Sequence, residues 1–86
     1  MRWDEIRRMQ PDKWVLVEAL RLHTEGKFWV LDDMALIQVF AHAADAWEEY
    51  HVLHKTKPDR ELYILSTRSD EPKIEEILWL GVRTAE

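Results

Sequence analysis

The spacing of apolar residues along the chain predicts two helices, and the clearer one lies in the second half. Within residues 41–57, apolar side chains recur at intervals of three and four, which is typical of an amphipathic helix. These residues are Ala43, Ala46, Trp47, Tyr50 and Leu53. Pro58 follows directly and ends the segment. A stripe of the same period predicts a short N-terminal helix over residues 3–10.

The other apolar segments are rich in β-branched and aromatic residues and predict four strands. The predicted strands cover residues 13–24, 28–40, 61–67 and 74–82. Gly26 separates the first two, and its freedom to adopt a positive φ favours a hairpin there. Asp32 and Asp33 are poor strand residues, so the second strand is expected to contain a bulge or to divide into two pieces.

Together these elements predict a single domain, residues 1–86, of the α+β class. The expected architecture is a four-stranded, mainly antiparallel sheet with one long helix between strands two and three and a short N-terminal helix. We expect the strand order 2-1-3-4, because it makes every neighbouring pair antiparallel and places the most apolar strand in the interior.

Both faces of this predicted sheet are apolar, whereas one long helix can cover only one of them. The second face is then covered either by the N-terminal helix or by another chain. We therefore expect a homodimer or a small protein partner, bound through the second face or an edge strand. Large aromatic side chains are the candidate interface residues, namely Trp14, Trp29, Tyr63 and Trp79.

Charge and composition exclude several other classes of function. The net charge of −5 argues against a general nucleic-acid binder, and a basic group of only Arg2, Arg7 and Arg8 is too small to change this. The chain has no cysteine, which excludes disulfides and thiolate metal sites and suits a reducing cytosol. No apolar run approaches the roughly 18 residues of a membrane span. We expect a cytoplasmic protein that contacts neither membrane nor nucleic acid.

One spacing resembles a metal-binding pattern. Glu48 and His51 stand three residues apart, as in four-helix metal proteins, and His54 follows after another three. Such sites take matching ligands from other helices, whereas this chain has one long helix and could add only His23 or His42. We expect these histidines to be surface or packing residues and predict no metal and no cofactor.

Candidate catalytic residues are equally weak. Asp32 and Asp33 could pair with Glu18 or His23 across the hairpin as an acid and a base. Neighbouring residues of a strand point to opposite faces, however, so the two aspartates act together only if a bulge redirects one. A solvated turn is the preferred interpretation.

The hydroxyl residues Ser66 and Thr67 lie at the end of the third predicted strand. No flanking glycine forms a nucleophile elbow there, and two glycines in the whole chain exclude a Gly-rich phosphate loop. We predict no catalytic residue, and an enzymatic activity has no support in the sequence.

The alternative function is a small-ligand-binding domain or a small hydrolase. Its pocket would lie between the long helix and the sheet, lined by Trp47, Tyr50, Tyr63 and Trp79. A large internal cavity with converging polar groups would favour this alternative over association.

Several segments resemble a group of small bacterial proteins that have no assigned activity. The segments are WDEI (3–6), PDKWVLVEA (11–19), HTE (23–25), EYHVLHK (49–55), RELY (60–63) and WLGVR (79–83). The resemblance covers most of the chain, but its motifs are structural, so it implies no catalytic or binding residue. It implies a chain that is encoded beside a second small protein, as antitoxins and accessory subunits are.

Overall fold

The computed structural model describes residues 1–75, which form one four-stranded sheet and two helices, and this confirms the predicted α+β fold. In chain order the elements are α1 (Trp3–Met9), β1 (Trp14–Glu25), β2 (Phe28–Phe40), α2 (Ala43–Thr56), β3 (Leu62–Ser66) and β4 (Lys73–Glu75). Most of the predicted fourth strand, including Trp79, lies outside the described residues. Neither α1 nor α2 is long and apolar enough to cross a membrane.

The strands lie in the order β3-β1-β2-β4, and every neighbouring pair is antiparallel. The prediction that β1 lies between β2 and β3 is correct. The predicted position of strand four is wrong, because β4 pairs with β2, through Trp29 and Ile74, and not with β3. The connection after β3 crosses to the far side of β2, where the Leu31 N–H donates to the Pro72 carbonyl at 3.0 Å.

Single extra residues interrupt the long β1–β2 hairpin at three places, Leu20 on β1 and Asp32 and Ile37 on β2. The interruption predicted at the aspartates is therefore a bulge and not a break in the strand. At the tip, Glu25 pairs with Phe28 across a two-residue loop that begins with Gly26 at φ +61°. This is the position at which a type II′ hairpin turn takes glycine.

Both sides of the sheet are covered around the first half of β1. Val15, Leu16 and Val17 point alternately to the two faces, yet all three are fully buried. The core includes Ile6 of α1 and Tyr50 of α2, which are also fully buried. Because the N-terminal helix packs into the core, the sheet does not need a second chain to cover this region.

The short helix α1 is held mainly by the other end of the described chain. The Trp3 indole Nε1 donates to the Ser69 carbonyl at 2.9 Å, and the Arg7 guanidinium Nε donates to the Thr67 carbonyl at 3.0 Å. A seven-residue helix is too short to be stable alone, so these contacts and the burial of Trp3 maintain it.

Candidate protein interaction edge

The hairpin extends well beyond the strand that flanks it. β1 has 12 residues and β3 has five, and β3 pairs with β1 only from Trp14 to Glu18. The last contact is the hydrogen bond from the Ala19 N–H to the Glu61 carbonyl at 2.8 Å. From Leu20 to Glu25, the side of β1 opposite β2 has no neighbouring strand within residues 1–75. At roughly 3.3 Å per residue this open edge is about 20 Å long.

Large apolar side chains are exposed along the open edge. Within the described part of the chain, four such side chains are exposed, and two of them, Leu20 and Leu22, are on this edge. Leu20 is 55% exposed and Leu22 is 39% exposed. Unpaired strand backbone beside exposed leucines is the combination from which proteins build interfaces and which they otherwise protect.

A groove of about 440 Å³ adjoins the open edge. It is lined by Ala19, Leu20, Arg21, Leu22, Trp29, Glu61 and Tyr63. The Trp29 and Tyr63 rings meet edge to face with their centroids 6.1 Å apart. The Tyr63 hydroxyl donates to Glu61 Oε2 at 2.7 Å, which fixes the ring. The groove therefore has an aromatic floor of fixed shape.

The structure brings together two of the four predicted interface residues. Trp29 and Tyr63 share the groove, although Tyr63 is almost fully buried and forms its floor. Trp14 is half-buried at the other end of β1, between Phe40 and Ser66 in the sheet. Trp79 lies outside the described residues, and the interface itself stays a prediction.

Charged side chains alternate with the leucines on the same edge. Arg21 forms no ion pair within residues 1–75. His23 lies between two carboxylates, with Nδ1 2.8 Å from Asp32 Oδ2 and Nε2 2.7 Å from Glu25 Oε2. The hydrogen bond with Asp32, followed by that with Glu25, raises the pKa of His23. Both ring nitrogens are thus engaged, which leaves neither for a substrate.

The two aspartates of β2 contact different partners, although the bulge at Asp32 interrupts the alternation of the strand. Asp32 contacts His23, whereas Asp33 Oδ1 lies 2.9 Å from the Met1 ammonium group. This contact with the ammonium group is the main cause that lowers the pKa of Asp33. Of the suggested pairings across the hairpin, the one between Asp32 and His23 is present, but Asp33 does not join it.

The histidines of α2 pack against an aromatic ring. The His54 ring stacks on Tyr50, with centroids 5.5 Å apart and planes 9° apart, and His51 meets the same ring at 5.5 Å and 69°. No cluster of three His, Cys, Asp or Glu side chains suited to a metal occurs among residues 1–75. Of the three residues in this spacing, His54 is half-buried against Tyr50, whereas Glu48 and His51 are exposed on the helix.

The hydroxyl considered as a nucleophile has a structural role. Thr67 is 3% exposed, and its Oγ1 accepts from the Lys13 N–H at 2.9 Å and donates to the Lys13 carbonyl at 3.1 Å. It therefore closes the end of the β1–β3 pair. Nothing in this geometry activates the oxygen for attack.

Two of the four residues proposed for a pocket between helix and sheet, Trp47 and Tyr50, pack against each other instead, and Tyr63 lines the groove. Trp47 meets Tyr50 edge to face at 5.5 Å, and Tyr50 is fully buried. Besides the groove, two surface clefts of about 660 Å³ and 480 Å³ lie within residues 1–75, and neither Trp47 nor Tyr50 lines any of the three.

The predicted basic group lies largely in the 660 Å³ cleft, which is also lined by the carboxylates of Asp4 and Asp12. Arg7 and Arg8 both line this cleft, and Arg7 lies 3.5 Å from Asp70. Arg68 on the opposite side is hydrogen-bonded to Asp12. A cleft with such internal pairing offers little net positive charge to a phosphate backbone.

The open edge was not located by the sequence analysis. None of Leu20, Arg21 and Leu22 is among the interface residues that the sequence predicts. The available signal was the difference between the two predicted strand lengths, 12 residues for the first and seven for the third. Such a difference leaves part of the longer strand without a neighbour.

A scan against protein-family models, a search of curated proteins and a search of solved structures found no match. The functional argument therefore depends on the geometry of this chain.

Proposed function

We propose that this protein acts through protein–protein association, by accepting an extended segment of another polypeptide along the open edge of β1. One observation carries the proposal: from Leu20 to Glu25 the strand has no neighbour within residues 1–75, and an apolar groove lies directly beside it. A strand added to a sheet edge gains main-chain hydrogen bonds, and adjoining pockets select its side chains. The function is non-enzymatic, as expected from the sequence.

The groove supports this mode of binding because its parts are already in place. The Trp29 and Tyr63 rings already contact each other edge to face, so little side-chain ordering is required when a partner binds. Association removes the apolar surface of the exposed Leu20 and Leu22 from water, which is favourable by about 25 cal/mol per Å². The groove accommodates apolar side chains of the incoming strand.

The partner class follows from the same features. It is a second copy of this chain or a small accessory protein of the antitoxin type. If the partner is a different polypeptide, the net charge of −5 favours one whose surrounding surface is basic. We place this association in the cytoplasm, because a chain without cysteine has no disulfide that reducing conditions would break.

Site-specific photo-crosslinking in the source cell tests the proposal. A photo-crosslinking residue at Thr24, on the open edge, is compared with the same residue at Thr56, which is exposed at the end of α2. We expect a crosslinked polypeptide at Thr24 that is absent at Thr56. Mass spectrometry should locate the crosslink in an extended segment of the partner.

A blocking substitution adds a second requirement. Leu22→Lys places a charge on the edge, and Val52→Lys is its control, because Val52 is a similarly exposed apolar residue on α2. We expect Leu22→Lys to abolish the crosslink and Val52→Lys to leave it unchanged. Equal crosslinking at Thr24 and Thr56, or a crosslink that survives Leu22→Lys, would overturn the proposal.

A further inference from the structure

We infer that the partner at the open edge is a second copy of this chain, bound through antiparallel pairing of residues 21–25 with themselves and centred on His23. This inference rests on the proposed function and names its partner. Two identical edges related by a two-fold axis form an isologous interface, in which each contact occurs twice. The result is a continuous sheet in which the two β1 strands are neighbours.

Charge complementarity selects the register. When His23 lies opposite its own copy, Arg21 lies opposite the copy's Glu25 on both sides of the axis, and Leu22 lies opposite Thr24. Directly opposite residues of unlike charge stabilise an antiparallel pair. Arg21 lies opposite Asp33 of its own hairpin but not at ion-pair distance from it, so its guanidinium can also reach the copy's Glu25, whose side chain is 59% exposed.

The two neighbouring registers either place like charges opposite one another or contain no pair between Arg21 and Glu25. Pairing centred on Leu22 places Arg21 opposite His23 and gives Glu25 no basic residue as its partner, so the Arg21–Glu25 pair is lost. Pairing centred on Thr24 places Arg21 opposite Lys27. Only the register centred on His23 gives two ion pairs without a repulsive one, because each His23 is already neutralised by Asp32 and Glu25 of its own chain.

The length of the open edge also fits a second copy. In this register Gly26 of the copy lies opposite Leu20, so the copied strand reaches its hairpin turn where β3 begins beside Ala19. A longer straight strand would collide with the Glu61 segment. The bulge residue of β1 is Leu20, which lies at the end of the proposed pairing. Residues 21–25 contain no further bulge residue on β1. The edge therefore offers as many residues as its copy can pair.

A charge-exchange experiment with two single variants tests both partner and register. Sedimentation equilibrium of the wild type should show a dimer at micromolar concentration. Arg21→Glu and Glu25→Arg should each weaken dimerisation at least tenfold, because each places like charges opposite one another twice. An equimolar mixture of the two variants should form a heterodimer, since every cross-chain contact is then between opposite charges, and native mass spectrometry identifies it by mass.

Two further variants complete the test. The double variant Arg21→Glu/Glu25→Arg should recover dimerisation, because the exchange restores both pairs. Arg8→Glu, on α1, makes the same charge change as Arg21→Glu away from the edge and should leave the dimer unchanged. Thermal melts of each variant confirm that the chain is folded. If the mixed variants stay monomeric, the inferred register is wrong.

Failure of this inference is distinguishable from failure of the proposed function. A wild-type chain that is monomeric at 100 µM, with a Thr24 crosslink to a different polypeptide, overturns the second copy as partner and leaves strand addition intact. A monomer without any edge-specific crosslink overturns both. A Thr24 crosslink within a pair of identical chains supports both.

Discussion

Glu18 Oε1 accepts a hydrogen bond from Arg60 Nη2 at 2.8 Å, which joins the middle of β1 to the residue at the entry to β3. Both side chains are 27% exposed, so water screens the pair only in part. The contact fixes the place where β3 meets β1. It therefore sets one end of the open edge that begins two residues later.

Removing this ion pair should destabilise the fold modestly. We expect Glu18→Gln and Arg60→Gln each to lower the free energy of unfolding by about 1 kcal/mol. The double variant should lose little more than either single variant, because both substitutions remove the same contact. The hydrogen bond with Arg60 lowers the pKa of Glu18. Its contribution is therefore complete above the ordinary pKa of about 4.5 and is lost as the pH falls through the lowered value. Urea denaturation at pH 7 and pH 3 measures both effects, and identical differences at the two pH values would contradict the assignment.

The pKa of His23 predicts a pH dependence in the opposite direction. Because Asp32 and Glu25 raise it, the folded state binds the proton more tightly than the unfolded chain. The resulting stability is complete below the unfolded pKa of about 6.5 and is lost as the pH rises through the folded value. NMR titration of the His23 ring should give a pKa above 6.5, and Asp32→Asn should lower it.

The matched stability measurement uses His23→Gln. This variant should lose less stability than the wild type between pH 6 and pH 8, at concentrations low enough to keep both monomeric. A wild-type curve that is flat over this interval would contradict the carboxylate contacts seen at His23.

The hairpin turn requires a positive φ at Gly26. No heavy atom lies within 4 Å of the position a Cβ would take, so a side chain there meets backbone strain and no steric clash. We expect Gly26→Val to cost about 1–2 kcal/mol, and Gly26→Asn to cost less because asparagine tolerates this region. Thermal denaturation of both variants tests whether Gly26→Val loses more stability than Gly26→Asn. Equal losses would indicate that φ is not the cause.

Substitutions of two leucines of β1 should show that the stability of the fold and the association with a partner depend on different residues. Leu16 is fully buried, so Leu16→Ala should cost about 2–5 kcal/mol. Leu20 is 55% exposed, and Leu20→Ser should change stability by about 0.5 kcal/mol or less while weakening association. Denaturant titration and sedimentation of both variants provide the comparison. A large stability loss from Leu20→Ser would place that side chain in the core of the monomer.

The sequence predicted the elements well because burial imposes a period on each of them. The stripe that includes Ala46 and Tyr50 indicated α2, and those two residues are the buried ones of that helix. The run Val15–Val17 indicated a strand covered on both faces, as observed. In each case the side chain that contacts the core is chosen by local geometry, which the sequence displays directly.

The sequence did not predict which strands are neighbours at the edges. Ile74 is apolar whether β4 lies beside β3 or beside β2, so its pattern carries no information about the choice. The sequence does not locate the open edge for a related reason. Its position depends on which residues of β1 are paired with β3. That register is set by tertiary contacts such as Glu18 with Arg60, which join residues 42 positions apart.

The bond from the Trp3 indole to the Ser69 carbonyl joins positions 66 residues apart, which affects how the chain acquires its structure. The first helix to be synthesised is too short to persist by itself, and its acceptor is made near the end of the described chain. Docking of α1 therefore waits until nearly all of residues 1–75 have left the ribosome. Contacts this distant along the chain slow folding, and the sheet residues later covered by Trp3 are exposed in the meantime.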